Sequence, residues 1–368
     1  MSTTTQNEIR KIIEESVVEE AAKPAPKKTA APKAKLHNVK AKEGQLVKVE
    51  MSDDFMNVTQ WVDGLNVYKR TRLPRPAHFP AGIAPFYIQD FAEFMRIASL
   101  GVSPLIQTGG TVKMGSDSVG TTDEMLGVVN VDLDTASCLI SLQDFSVAKA
   151  CADDMVKPSF NFAFFRVING VLSLCATDSR RLHYTRFLDK DNFAPDGAFI
   201  PRLALEAKGE ISLFAQGKYY IVTYDNVTLW YKRDEIQVLS DEAIKNVTVQ
   251  DFGAAVEMGL AVPHLKLAAK NKTASHPVNI MREGEEARLD MRYPDVKGVA
   301  RVPIVNNRDS FEDFGINAEY LLDAISFTGE TILYQHFGQA AMSQVNVVSD
   351  DRTRVAVIMP IQLKSKED

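Results

Sequence analysis

A strand, a break and a short helix recur three times along this 368-residue chain at almost equal spacing. Phe86-Tyr87-Ile88 leads into Gln89-Asp90-Phe91-Ala92-Glu93-Phe94-Met95. Phe199-Ile200-Pro201 leads into Arg202-Leu203-Ala204-Leu205-Glu206. Phe314-Gly315-Ile316 leads into Asn317-Ala318-Glu319-Tyr320-Leu321-Leu322-Asp323-Ala324. The isoleucines at 88, 200 and 316 lie 112 and 116 residues apart. Such spacing is the mark of a domain-sized repeat. A chain of this length is also too long for one ordinary core. The expected division is a tail over 1–45, a reduced first domain over 46–136, a second over 137–245 and a third over 246–368.

A second pattern repeats in the same register. Ile140-Ser141-Leu142-Gln143-Asp144-Phe145-Ser146 passes into an Ala-rich stretch ending near Val156. Val247-Thr248-Val249-Gln250-Asp251-Phe252-Gly253 runs into Ala254-Ala255-Val256-Glu257-Met258. Val47-Lys48-Val49-Glu50-Met51-Ser52-Asp53-Asp54-Phe55 is followed by Val58 and Trp61. Each reads as a strand, a polar cap and an amphipathic helix. Asn169-Gly170 and Asp225-Asn226 separate alternating apolar runs, which is the signal of a two-residue hairpin. Two helices and several antiparallel strands per repeat make an α+β domain, with helices on one face of a sheet.

The tail is different in kind. Glu8 to Glu20 has Ile9, Ile12, Ile13 and Val17 at helical spacing. From Ala22 to Lys42 there is Lys, Ala and Pro without an acid. Pro24, Pro26 and Pro32 forbid a continuous helix, and such a composition does not bury enough apolar surface to offset its ordering entropy. It reads as a solvated linker or as a basic arm that meets phosphates. Net charge is −6, but net charge reports only an average field. Cys138, Cys151 and Cys175 are odd in number and lack a C-x-x-C pair, so neither a disulfide framework nor a zinc site is expected, and small buried thiols are. No apolar stretch approaches the ~20 residues of a membrane helix, and there is no apolar signal core, so a cytoplasmic protein is expected.

Two further segments carry the sharpest signal. Ala176-Thr177-Asp178-Ser179-Arg180-Arg181-Leu182 follows the apolar run Gly170 to Cys175. The last apolar run is Val355-Ala356-Val357-Ile358-Met359-Pro360-Ile361-Gln362-Leu363. With the repeats, they resemble the beta subunit of bacterial-type DNA polymerase III, the sliding clamp. The resemblance covers about residues 137 to 363 well and 46 to 136 poorly. It implies repeated clamp domains with antiparallel sheets outside and helices lining a central hole. It also implies two chains closed head to tail around duplex DNA. A trimer using two domains per chain would close the same ring.

The resemblance further implies a partner-peptide pocket. One wall would be Thr177, Ser179, Arg180, Arg181 and Leu182, and the other Val357, Met359, Pro360, Ile361 and Leu363. Methionine adapts to irregular partner shapes, and a few apolar anchors suffice to hold a peptide. Arg180 or Arg181 would hold a partner backbone or carboxylate at the rim. The family has Gly-His where this chain has Ser179-Arg180, and its chain normally ends at the leucine matched by Leu363, where Lys364 to Asp368 follow here. Sliding requires weak, sequence-blind phosphate contacts. The candidate cations are Arg96, Lys149, Arg202, Lys208, Lys266 and Lys270.

Catalytic signals are weak. Asp178, Arg180 and His183 are close in sequence, but Asp178 reads as a turn residue and His183 as part of the next strand. Gly109-Gly110-Thr111 lacks a Gly-Lys-Ser/Thr ending, and His183, His264, His276 and His336 show no ligand spacing. No cofactor, metal or enzymatic activity is expected. The expected function is a DNA sliding clamp, a processivity factor that tethers a replicative polymerase and is served by a clamp loader. The rival readings are a clamp-derived scaffold that recruits repair or regulatory proteins without encircling DNA, and a hydrolase that has kept only the fold.

Overall fold

The computed structural model of the chain describes residues 45–75, 79, 84–98, 104–107, 111–114, 117–120, 131–142, 150, 158–187, 197–205, 207, 209–234, 244, 253–270, 277–292, 297–306, 308–336 and 344–361. The Lys/Ala/Pro tail, the Ala-rich stretch before Val156, Cys151, and Lys364 to Asp368 lie outside them.

Three consecutive units share one order of elements: a three-stranded meander, a short strand, a helix, then a second meander. The first has β1 (Val47–Met51), β2 (Phe55–Val62), β3 (Val67–Pro74), β4 (Phe86–Ile88), α1 (Phe91–Ala98), β5 (Pro104–Gln107), β6 (Thr111–Met114) and β7 (Asp117–Gly120). The second has β8 (Ser137–Leu142), β9 (Phe162–Ile168), β10 (Val171–Thr177), β11 (Arg181–Arg186), β12 (Phe199–Pro201), α2 (Arg202–Leu205), β13 (Ile211–Gln216), β14 (Tyr219–Tyr224) and β15 (Val227–Lys232). The third has β16 (Ala255–Glu257), α3 (Val262–Lys270), β17 (Val278–Glu283), β18 (Glu286–Arg292), β19 (Lys297–Asn306), β20 (Phe314–Ile316), α4 (Ala318–Thr328), β21 (Ile332–His336), β22 (Gln344–Val348) and β23 (Arg354–Ile358).

The strand-break-helix signature holds in all three units. β4, β12 and β20 each pair with the first strand of their own meander (β1, β9 and β17), and each ends or begins an apolar corner. Ile88, Ile200 and Ile316 are each fully buried there. Antiparallel pairing runs through an eight-stranded sheet, β4-β1-β2-β3-β15-β14-β13-β8, and a twelve-stranded sheet, β12-β9-β10-β11-β23-β22-β21-β16-β19-β18-β17-β20; β5, β6 and β7 form a third. The two large sheets cross unit boundaries. β3 joins β15, and β11 joins β23. Helix α4 packs beneath the second of these seams and beside α3.

Both two-residue hairpins form. Asn169 and Gly170 have φ of 50° and 77°, the left-handed pair that a tight turn between right-twisting strands requires. Helix α4 begins at Asn317, whose side chain accepts from the Glu319 N–H at 2.8 Å, and ends at Gly329 with φ of 79°.

Two of the expected helices are strands. Phe55 to Trp61 belongs to β2, because Met56 and Val58 alternate into the core against β1 and β3. Asp53 and Asp54 sit in the β1–β2 turn instead of capping a helix. Ala254 to Met258 spans β16, which lies between β19 and β21 and buries Ala255, Val256 and Met258. The helix of that unit starts later, at Val262, after a short 3₁₀ turn, with Pro263 in its first turn, where no intrahelical N–H bond is lost. Among the thiols, Cys175 is buried as expected, but Cys138 is exposed on β8.

Candidate functional site

The two sequence walls meet as neighbouring strands. β11 and β23 pair with Arg181 opposite Ile358, Leu182 opposite Val357 and His183 opposite Ala356. Leu182 and Val357 thus form one buried cross-strand pair under the seam. The chain beyond β23 is stitched on both sides. Met359 N–H donates to the Arg180 carbonyl at 2.9 Å. Ile361 exchanges two hydrogen bonds with Gly315, at 2.8 and 2.9 Å. Met359 and Pro360 are left half-buried and Ile361 is 44% exposed, so a short apolar ledge lies beside the second unit's turn. Leu363 lies outside the described residues.

The turn that carries the other wall is locked by its own side chains. Thr177 Oγ1 donates to the Arg181 carbonyl at 2.6 Å and accepts from Ser179 N–H at 3.1 Å. Asp178 Oδ1 accepts from the N–H groups of Arg180 and Arg181 at 2.9 and 3.0 Å. The resulting loop forces Ser179 to φ of 76°. A left-handed non-glycine residue costs about 1–2 kcal/mol, part of which glycine recovers. Ser179→Gly is therefore expected to stabilise this turn by about 0.5–1 kcal/mol, read as slower amide hydrogen exchange along β10 and β11.

The two arginines of this wall have separate environments. The Arg181 side chain is only 11% exposed. Its Nε meets Asp178 Oδ2 at 3.0 Å, its Nη1 meets Asp323 Oδ2 on α4 at 2.6 Å, and its guanidinium lies 4.4 Å from the centre of the Tyr320 ring. It clasps the second unit to the third. Arg180 is exposed, and its side chain makes no ion pair or hydrogen bond among the described residues. Of the pair, Arg180 is the one with a free fork at the rim of the ledge. Deeper along β11, His183 is fully buried and stacks on Phe327 of α4 at 4.8 Å and 5°. Its place is in the interior of the seam, as the turn-and-strand reading expects. Asp323, Tyr320 and Gly315 escaped the sequence reading as members of this site. Arg181 and Asp323 are 142 residues apart, and no local pattern marks that contact.

The candidate DNA-facing cations divide. Lys266 and Lys270 are both exposed and four residues apart on α3, hence on one helix face. Arg96 is exposed on α1 but holds Glu93 through two bonds of 2.7 Å, and that pairing lowers the Glu93 carboxyl pKa. Arg202 is half-buried at the start of α2. Lys149 and Lys208 lie outside the described residues. Helix α4 has no lysine or arginine; it carries Glu319 and Asp323. Among the described residues there is no cluster of His, Cys, Asp or Glu fit to hold a metal ion, and no helix is long and apolar enough to cross a membrane.

No protein-family model and no curated protein matches the sequence. Solved structures do match the fold. A putative DNA polymerase III beta subunit from Eubacterium rectale aligns with a TM-score of 0.64 at 11% identity, covering 88% of this chain and 92% of that one. The DNA polymerase sliding clamp from Caulobacter crescentus aligns at 0.62 and 16% identity, covering 87% and 92%. A DNA polymerase III beta sliding clamp from Pseudomonas aeruginosa, bound to griselimycin, aligns at 0.60 and 16%, with the same coverage. The chain therefore has the fold of the DNA polymerase III beta sliding clamps, at low sequence identity over most of its length.

Proposed function

We propose that this protein is a DNA sliding clamp, a non-enzymatic processivity factor that encircles duplex DNA and tethers a DNA polymerase. The observation that carries the reading is the pattern of edges. The last strand of one unit's second meander joins the last strand of another unit's first meander twice within the chain: β15 to β3, and β23 to β11. One strand of each kind remains. β7 pairs only with β6, and β19 leaves its Lys297 to Val302 stretch without a second neighbour among the described residues. Two copies placed head to tail would pair β19 of each with β7 of the other, closing six clamp domains over 46–136, 137–245 and 246–368 into a ring. Three units per chain favour this dimer over the trimer.

In that ring the Met359–Ile361 ledge and Arg180 would receive a peptide from the polymerase or the clamp loader. Lys266 and Lys270 would meet phosphates without reading bases. The scaffold reading draws on one fact, that α4 offers no cation to DNA. One experiment separates the two. Loaded on nicked circular DNA, the protein is expected to stay through gel filtration and to run off within minutes of linearisation. Lys266→Glu/Lys270→Glu should shorten its residence on circular DNA several-fold at low salt. Equal retention on circular and linear DNA, or none on either, would refute encirclement.

A further inference from the structure

The seam between the first two units carries a recess far from the groove. Tyr68, Arg70 and Arg72 alternate onto one face of β3. Tyr68 stacks on Trp230 at 5.5 Å and 17°, and meets Trp61 edge-on at 4.6 Å. The Arg70 guanidinium lies 5.1 Å from the centre of the Trp230 ring, and that of Arg72 lies 4.1 Å from the centre of Phe55. An aromatic ring takes the flat face of a guanidinium and leaves the N–H edge for acceptors. Among the described residues no acceptor occupies those edges. Among the described residues neither side chain forms an ion pair or a hydrogen bond, and Arg70 Nε is buried without a partner.

The register extends this donor row across the seam. Thr223 opposes Thr228, Thr228 opposes Arg70, and Asn57 opposes Arg72. Together they floor a recess of ≈ 480 Å³, a size that suits a small ligand. Burial lowers the Arg70 pKa, with neighbouring Arg72 acting in the same direction and Glu50 opposing. The guanidinium nevertheless stays charged, so a half-buried cation sits beside the exposed Arg72. The carboxylates lining the recess, Asp132, Asp134 and Asp225, are exposed at its rim.

We infer that this floor is an oxyanion subsite in which Arg70, Arg72 and the hydroxyls of Thr223 and Thr228 hold a carboxylate or phosphate. The rim aspartates select a ligand whose oxyanion has a cation beside it. The ligand class is thus a compact zwitterion, or an acidic or phosphorylated side chain flanked by a basic one. The subsite stands on the β3–β15 seam alone and does not depend on ring closure or on the groove.

The test is calorimetric titration of the full-length protein with O-phospho-L-serine, L-glutamate and inorganic phosphate. One of the two amino acids is expected to bind at least tenfold more tightly than inorganic phosphate; the tighter one identifies the source as phosphate or carboxylate. Arg72→Gln, at an exposed position, should weaken that binding about tenfold, and Thr228→Val, which keeps the β-branched shape of the strand residue, a few-fold. Undetectable binding of all three at millimolar concentration, or binding unchanged by Arg72→Gln, would overturn the site. Inorganic phosphate binding as tightly as the tighter of the two amino acids would overturn the role of the rim.

Discussion

Arg181→Ala is expected to cost about 3–5 kcal/mol of stability, the range seen when one partner of a buried ion pair is removed. The guanidinium is shared by Asp178 and Asp323 and lies on Tyr320. Truncation leaves two carboxylates, with side chains only 13% and 20% exposed, without their cation. Asp178 keeps its two backbone donors, so the larger share of the penalty falls on Asp323. Arg181→Lys should recover only part of the loss, because a point charge does not bridge two carboxylates while stacking on a ring. Unfolding of a three-unit chain is not a single step. The direct measurement is amide hydrogen exchange along β11 and β23, where protection should fall while that of β1 and β2 is kept. A double-mutant cycle with Asp323→Asn should return a coupling of about 1–3 kcal/mol. Unchanged exchange in β11 and β23 would mean that the clasp does not hold the seam.

That clasp also marks where sequence reading stops. The repeat spacing located β4, β12 and β20 and their helices, because each strand-break-helix signature is local: an apolar strand, a turn and an apolar helix face within about a dozen residues. Asn169-Gly170 and Asp225-Asn226 were legible for the same reason. β2 and β16 were not. Both follow polar turn residues and present apolar residues at spacings that suit a helix as well as a strand. Their state is decided by strands from elsewhere in the chain, β3 for the one, β19 and β21 for the other. At the candidate groove, the turn hydrogen bonds of Asp178 are local and agree with its reading as a turn residue, whereas those of Thr177, read only as a wall of the pocket, go beyond it. The different surroundings of Arg180 and Arg181 depend on α4, which lies in the next unit, and adjacent arginines look alike in one dimension.

In the proposed ring, Val299→Asp is expected to convert the dimer to single chains. Twice in this fold a unit boundary is sealed by pairing exposed edges, and β19 is the third edge of that kind. Its Lys297 to Val302 stretch, without a second neighbour among the described residues, presents Val299 at 48% exposure, an apolar side chain on the kind of edge that proteins normally guard with charge or cover. A partner strand laid against it would desolvate Val299, so an aspartate there would be buried without a cation. A penalty of several kcal/mol raises the dissociation constant of the dimer 100-fold or more. Sedimentation at micromolar concentration should then fall from twice the 40.8 kDa chain mass to one. Val167→Asp is the matched control. Val167 is 55% exposed, but it lies on β9, the first strand of its meander, which pairs with β10 along most of its length and with β12 at Phe162 to Phe164 and is not one of the edges that join units. The same charge there should leave the particle intact. Dimers that survive Val299→Asp would place closure elsewhere than β19, and a wild-type chain that sediments as a monomer would remove the ring altogether.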